Sequence, residues 1–452
     1  MELIESLVVT GSHANQKLIS LNVLDLLTGH VNFSGVFFFR KKPDLARLKS
    51  SLVKTLDRHP GFAGSLVNDN GRVFLSHSNV GANFSVYQSD EACPDLNNLG
   101  VITESSPLIE HIPGLEIFGG KMPITGFKVI LFADDYWSLA VRFVHSLVDG
   151  AALANFFKSW AGFYNGIAMP PRSDYSREAL SHLGAGPGYR PSLKFRILPP
   201  ANFSLRQKFD ENKKTSGAIN VDIPNARLEA LIQRCKADST LELSSSDIIH
   251  AIAWKAFAHA SPLPDYEACR IYTAGDIKAI KNFGIPDDFE GNTSIVRSAE
   301  GSLKAVRALG LEQAAEWFRQ QTKPITEIEV RQDIAYLNRE YTQGRLRASN
   351  GTFSQFIRGS LVDCLDFNAI FVNDMRFLEI YNTTFEEKAL WYETVQDLGF
   401  PAIYVYRKLN QSTSIRYVGD VSALEPFRKF IEALVQDDTA LAVSAPAERI
   451  AK

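Results

Sequence analysis

Six consecutive residues, His145-Ser146-Leu147-Val148-Asp149-Gly150, bring together an imidazole, a carboxylate four positions on, and a glycine. An imidazole ionises near neutral pH, with a reference pKa of about 6.5, and can take a proton from a hydroxyl or an amine. His145 is therefore the candidate general base. Two uses of Asp149 stay open: a bond to the ring, or an anchor for the turn through a cation elsewhere, with Gly150 letting the backbone turn into the next element. A structural histidine holding a strand-to-helix corner has the same letters.

The elements around this run are legible. Trp137, Leu139, Val141 and Phe143 alternate with mostly smaller or polar residues, the period of a half-buried strand. Beyond Gly150, Leu153, Phe156, Phe157, Trp160 and Tyr164 recur at three- and four-residue intervals up to Gly166, which predicts a helix with a glycine C-cap. His145 then sits at a strand exit, where a side chain can face a cleft.

The rest of the first half is mixed α/β. Ser34 to Arg40 reads as a buried strand and Pro43 to His59 as a helix striped by Leu45, Leu48, Leu52 and Leu56. Short strands are expected at Val73–Leu75 and Phe84–Val86, and another from Thr125 to Phe132. Residues 167 to 217 hold six prolines and no sustained period, so the crossover between domains is placed there. Ser244 to Asp247 forms a capping-box pattern before a helix from Ile248 to Ala260. Strands are expected at Arg270–Ala274, Ala369–Val372, Ala402–Tyr406 and Ser414–Val418, and a last helix from Val421 to Gln436.

The chain has 452 residues, more than one core usually organises, so two domains are expected. Its 45% hydrophobic and 22% charged content is ordinary for a globular enzyme, and 30 phenylalanines promise aromatic packing or an apolar pocket. Forty-eight basic against 51 acidic residues, without a basic run, argue against a nucleic-acid surface. Cys93, Cys235, Cys269 and Cys364 are too scattered for a zinc site or a disulfide framework, and a reducing cytosol fits. The acidic start Met1-Glu2-Leu3-Ile4-Glu5 and the lack of a long apolar run predict a soluble, unexported protein with no membrane insertion.

Other chemistries lack their residues. There is no phosphate-binding Walker loop, no G-x-S-x-G elbow and no H-E-x-x-H pair, and Gly119-Gly120 precedes a strand, the wrong order for a dinucleotide fold. No metal site is expected. His13, His30, His59, His77, His111 and His182 read as surface residues, His250 as a polar-face residue, His259 as a satisfied helix-end residue, and Asp287-Asp288-Phe289-Glu290 as a charged loop.

Taken along its length, the chain resembles the BAHD acyltransferase family. Leu21-Asn22-Val23-Leu24-Asp25 resembles the family's opening L-S-x-L-D, Leu48 to Leu52 its L-K-x-S-L, and Pro60 to Leu66 its P-x-x-A-G-R-L. His145, Asp149 and Gly150 fall on H-x-x-x-D-G. Ser244, Asp247, Ala251 and Trp254 resemble its S-x-x-D-x-x-x-A-x-x-W helix, Asp276 its D-x-R element, and Phe289-Glu290-Gly291-Asn292 its Y-F-G-N. Two departures stand out. Lys278 replaces the arginine that in the family holds the motif aspartate, which predicts an Asp149–Lys278 ion pair without a bidentate fork. The D-F-G-W-G loop is missing, and Asn373-Asp374-Met375-Arg376 follows the strand where it should begin.

The resemblance implies an α/β fold of two chloramphenicol-acetyltransferase-like sandwich domains joined by a long crossover, here 1–185 and 218–452 with a linker at 186–217. It implies acyl transfer from a coenzyme A thioester, used as co-substrate with no bound cofactor, to a hydroxyl or amine of a small-molecule acceptor. His145 is then the general base in a central channel, Asp149, Gly150 and Lys278 are structural support, and Asn373 is either a turn residue or an oxyanion donor. A cytoplasmic monomer is expected. The rivals are a condensation-type enzyme fed by a carrier protein, against which the valine at Val144 argues because such domains place a second histidine there, and a cyclase or idle relative on the same fold.

Overall fold

A computed structural model describes residues 1–12, 17–28, 32–70, 72–110, 120–170, 177–180, 195–197, 205–280, 283–322, 326–343, 348–349, 352–353, 356–358, 364, 369–396 and 398–436. Two six-stranded sheets dominate these residues. The first runs Glu2–Val9, Ala82–Gln88, Thr125–Leu131, Tyr136–Val144, Asn32–Arg40, Trp391–Thr394, and only its second and third strands are parallel neighbours. The second runs Ser216–Pro224, Ser412–Asp420, Ala402–Arg407, Ala369–Asp374, Ala268–Asp276, Ser294–Ser302, with parallel pairing on both sides of Ala369–Asp374.

Each sheet carries helices on one face. Leu45–Arg58 and Gly150–Tyr164 pack on the first, where the leucine stripe Leu48, Leu52 and Leu56 meets Phe37, Phe127, Leu139, Phe156 and Trp160. The phenylalanines are mostly core: Phe62 stacks on Phe156 at 4.0 Å and Phe39 on Trp137 at 4.4 Å. Ser245–Ala260 and Val421–Gln436 pack on the second sheet. The Ser244–Asp247 capping box forms in full, with Ser244 Oγ accepting from Asp247 N–H at 3.2 Å and Asp247 Oδ2 accepting from Ser244 N–H at 2.8 Å.

Four expectations need correction. The strand Tyr136–Val144 is buried on both faces rather than one, because Ile102, Ile109 and Tyr406 cover Val36, Phe38 and Ala140 on the side away from the helices. Trp391–Thr394 pairs with Asn32–Arg40, so a strand from the second half completes the first sheet and the 218–452 unit does not coincide with the second sheet. His250 is buried rather than polar-facing: its Nδ1–H donates to Ser246 O at 2.6 Å, its Nε2 accepts from Thr273 Oγ1 at 2.8 Å, and burial pushes its pKa down, so the ring is neutral. His59 and His77 are buried as well, while His13, His30, His111 and His182 lie outside the described residues. Half of the 186–217 linker also lies outside them, and its described residues include the helix Leu205–Lys213.

Candidate active site

The strand Tyr136–Val144 ends in a tight turn in which Leu147 N–H donates to Val144 O at 2.8 Å. His145 is the first residue of that turn. Its ring is half-buried and meets Phe33 edge-on, with centroids 5.9 Å apart. Val144 before it is fully buried in the first core, and the helix Gly150–Tyr164 follows two residues after Leu147-Val148, ending at Asn165 with Gly166 at φ +72°.

The turn is held through three successive carbonyls. Asn292 Nδ2 donates to His145 O at 2.9 Å, and Arg177 donates through Nη1 to Ser146 O at 3.0 Å and through Nη2 to Leu147 O. One carboxylate joins the two holders. Asp25 Oδ1 accepts from Asn292 N–H at 2.7 Å and Asn292 Nδ2 at 2.9 Å, and its Oδ2 lies 3.0 Å from Arg177 Nη1. Asp25 is 0% exposed and Arg177 2%, and burial pushes the Asp25 carboxyl up against the opposing pull of Arg177 and Asn292. Asn22 shapes this end of the chain by capping the helix Val23–Thr28 with its own carbonyl, bonded to Leu24 and Asp25 N–H.

Asp149 takes neither of the uses left open by the sequence. Its Oδ1 caps the helix by accepting from Ala152 N–H at 2.9 Å, and its Oδ2 accepts from Thr293 N–H at 2.9 Å and Thr293 Oγ1 at 2.8 Å. The predicted ion pair with Lys278 does not form. Lys278 Nζ donates instead to the carbonyls of Asp287 at 3.3 Å and Phe289 at 3.1 Å, where a compact ammonium without a fork serves two carbonyls equally well. Gly150 has no positive φ, and a Cβ there would meet Leu378 at an ordinary 3.7 Å, so the helix start does not need glycine.

Residues 289–293 thus clamp the motif from the second half. Lys278 holds Phe289 O, Asn292 holds His145 O, and Thr293 holds Asp149. Glu290, read from sequence as part of a charged loop, is buried and bonded to His59 Nδ1, whose Nε2 bonds Ser159 Oγ at 2.8 Å on the helix after the motif. Gly291 is required: a Cβ would fall 2.7 Å from Asn22 Nδ2. Sequence reading missed Arg177, Thr293 and the His59–Glu290 pair, whose partners lie 30 to 231 residues away.

Asn373 lies within the strand Ala369–Asp374 and not in a turn, opposite Tyr404, on the face away from the core made by Ile370 and Val372. Its amide makes no hydrogen bond among the described residues. The segment that replaces D-F-G-W-G is closed by its own ion pair, Asp374 to Arg376 at 2.7 Å, and lays Leu378 against the start of the motif helix.

Asp149→Ala removes a helix cap worth about 1 kcal/mol and leaves two Thr293 donors unpaired at about 1–3 kcal/mol more. Urea unfolding is expected to show that combined loss, with turnover falling alongside it. Normal stability with abolished turnover would instead make Asp149 a partner of the ring.

A model of the Transferase family matches residues 2–364. The chain belongs to that family. A hydroxycinnamoyltransferase of Narcissus pseudonarcissus is 26% identical over 292 residues, covering 62% of this chain and 65% of that relative, so the chain spans just under two thirds of the curated relative it matches. Among solved structures, F. graminearum TRI101 complexed with ethyl coenzyme A superposes with a TM-score of 0.69 at 11% identity over 93% of this chain and 97% of that one. Vinorine synthase gives 0.64 at 14% over 96% and 97%. These members of the BAHD and chloramphenicol-acetyltransferase-like group share the two-sheet α/β fold of this chain.

Proposed function

We propose that this Transferase-family chain is an acyltransferase that moves an acyl group from a coenzyme A thioester to a hydroxyl or amine of a small-molecule acceptor, with His145 as general base. The observation that carries the reading is the half-buried imidazole on a turn whose three carbonyls are pinned from outside it. A base fixed this way loses little when it meets its substrate.

His145 takes the acceptor proton as the acceptor oxygen or nitrogen attacks the thioester carbonyl. Negative charge gathers on the carbonyl oxygen, where Asn373, whose amide makes no hydrogen bond among the described residues, is the proposed donor. The intermediate then collapses, the carbon–sulfur bond breaks, and the thiolate takes the proton back from the imidazolium. The relatives support this reading: one is named a hydroxycinnamoyltransferase, and TRI101 was crystallised with ethyl coenzyme A.

A donor presented on a carrier protein is disfavoured. The position before His145 that would hold a second histidine is Val144, buried in the first core. The same reading has the protein act as a cytoplasmic monomer; among the described residues no helix is long and apolar enough to cross a membrane. Titration calorimetry with free coenzyme A, paired with turnover of acetyl-coenzyme A against a panel of hydroxyl and amine acceptors, tests the function. Absence of both binding and thioester turnover rejects it.

A further inference from the structure

The face of the first sheet turned away from its helices is apolar through Val36, Phe38, Ile130 and Ala140. Towards His145 it changes character. The next position on the strand Tyr136–Val144 is Arg142, flanked across the strands by Ser34 and Gly126, and Lys128 stands opposite Ala140. Arg142 and Lys128 are therefore diagonal neighbours on one face, about 7–8 Å apart at the backbone.

Both cations are buried, Arg142 at 7% and Lys128 at 8% exposure. Neither makes a hydrogen bond or an ion pair among the described residues, and Arg142 Nε is buried with no acceptor. Lys128 Nζ lies 4.2 Å from the centroid of the Tyr87 ring, and the Glu110 carboxylate favours its charge without reaching ion-pair distance. The two carboxylates near enough to favour the Arg142 charge have other partners: Glu110 accepts from Ser85 Oγ at 2.8 Å, and Glu104 lies 3.8 Å from Lys213. Proteins pair their buried charges, and two like charges side by side on a sheet destabilise it. A fixed guanidinium with its fork unused is the group that best matches a planar anion.

We propose that Arg142, assisted by Lys128, is an anion-binding subsite that holds a carboxylate or phosphate of a substrate while its reacting group is at His145. The last two residues of the strand and the first step into the turn separate the two backbones by at most about 10 Å, the span of a small ring with its substituents. The inference rests on the acyl-transfer reading for what the anion belongs to, acceptor or coenzyme A, and on geometry alone for the anion itself.

The test compares the full-length protein with Arg142→Gln and Arg142→Lys. Hydroxylated acceptors are offered as matched pairs, free carboxylate and methyl ester, with acetyl-coenzyme A as donor. If the anion is the acceptor's, the native protein prefers the carboxylate member by roughly tenfold to a hundredfold, Arg142→Gln brings that member down to the ester through KM, and Arg142→Lys restores part of the preference. If the anion is the donor's, Arg142→Gln weakens coenzyme A binding in calorimetry by a similar factor and the acceptor pairs stay level. Melting curves in millimolar inorganic phosphate need no turnover: phosphate protects the native protein and not Arg142→Gln. Equal phosphate protection of the two proteins, with acceptor preference and coenzyme A affinity unmoved, overturns the subsite. Protection lost in the variant while no thioester is turned over keeps the subsite and rejects acyl transfer.

Discussion

Replacing His145 by alanine is expected to lower turnover by about 10²- to 10⁴-fold, the usual worth of a positioned general base, which corresponds to roughly 3–5 kcal/mol of transition-state stabilisation. Stability should hardly change. The turn is built on carbonyls, not on the ring: Asn292 still reaches the carbonyl of residue 145, and Arg177 those of Ser146 and Leu147. The edge contact of the half-buried imidazole with Phe33 goes with the ring. Turnover at fixed thioester and acceptor, together with a melting curve, separates the two effects. Near-native turnover in His145→Ala removes the histidine from the chemistry, and a collapse in melting temperature makes it a structural corner.

What could be read ahead of the structure was local. Periodicity placed the strand before His145 and the helix after it, and the capping box at Ser244 formed with both of its bonds. Those signals depend on residues a few positions apart, where backbone geometry alone decides which side chains share a face. The holders of the motif were illegible for the opposite reason. Arg177 lies within a proline-rich stretch with no period, and Thr293 is one more small polar residue until the fold sets it 144 positions away against Asp149. Asn292 and Asp25 were marked only by likeness to family motifs, which carry no statement of what they touch.

The Lys278 expectation shows how a correct motif can give a wrong contact. A positive charge was placed near the right loop, but the ammonium chose the carbonyls of Asp287 and Phe289. Asp149 was already satisfied by uncharged donors on Thr293 and Ala152. The lysine therefore acts one step back, holding the loop that presents Asn292. His59 and Glu290 were misjudged similarly: each looks like a surface residue alone, and each is buried because the other is there.

Asp25→Asn is expected to be the most destabilising single change in the molecule's site, about 3–5 kcal/mol by urea unfolding, because it leaves the Arg177 guanidinium buried without its counter-charge. Turnover should fall with it, since Asn292 and Arg177 both lean on this carboxylate while holding the His145 turn. Loss of stability and loss of positioning must then be told apart. The double variant Asp25→Leu with Arg177→Leu replaces the buried pair by apolar side chains, a change that is often close to neutral in stability. It also leaves Ser146 O and Leu147 O without their donor. If the clamp positions His145, the double variant unfolds near the native urea midpoint yet turns over slowly, with the deficit in kcat and not in KM for the thioester. If turnover returns together with stability, Asp25 and Arg177 only fill the core beneath the turn, and His145 keeps its place by the bonds of Asn292 and the cap at Asp149 alone.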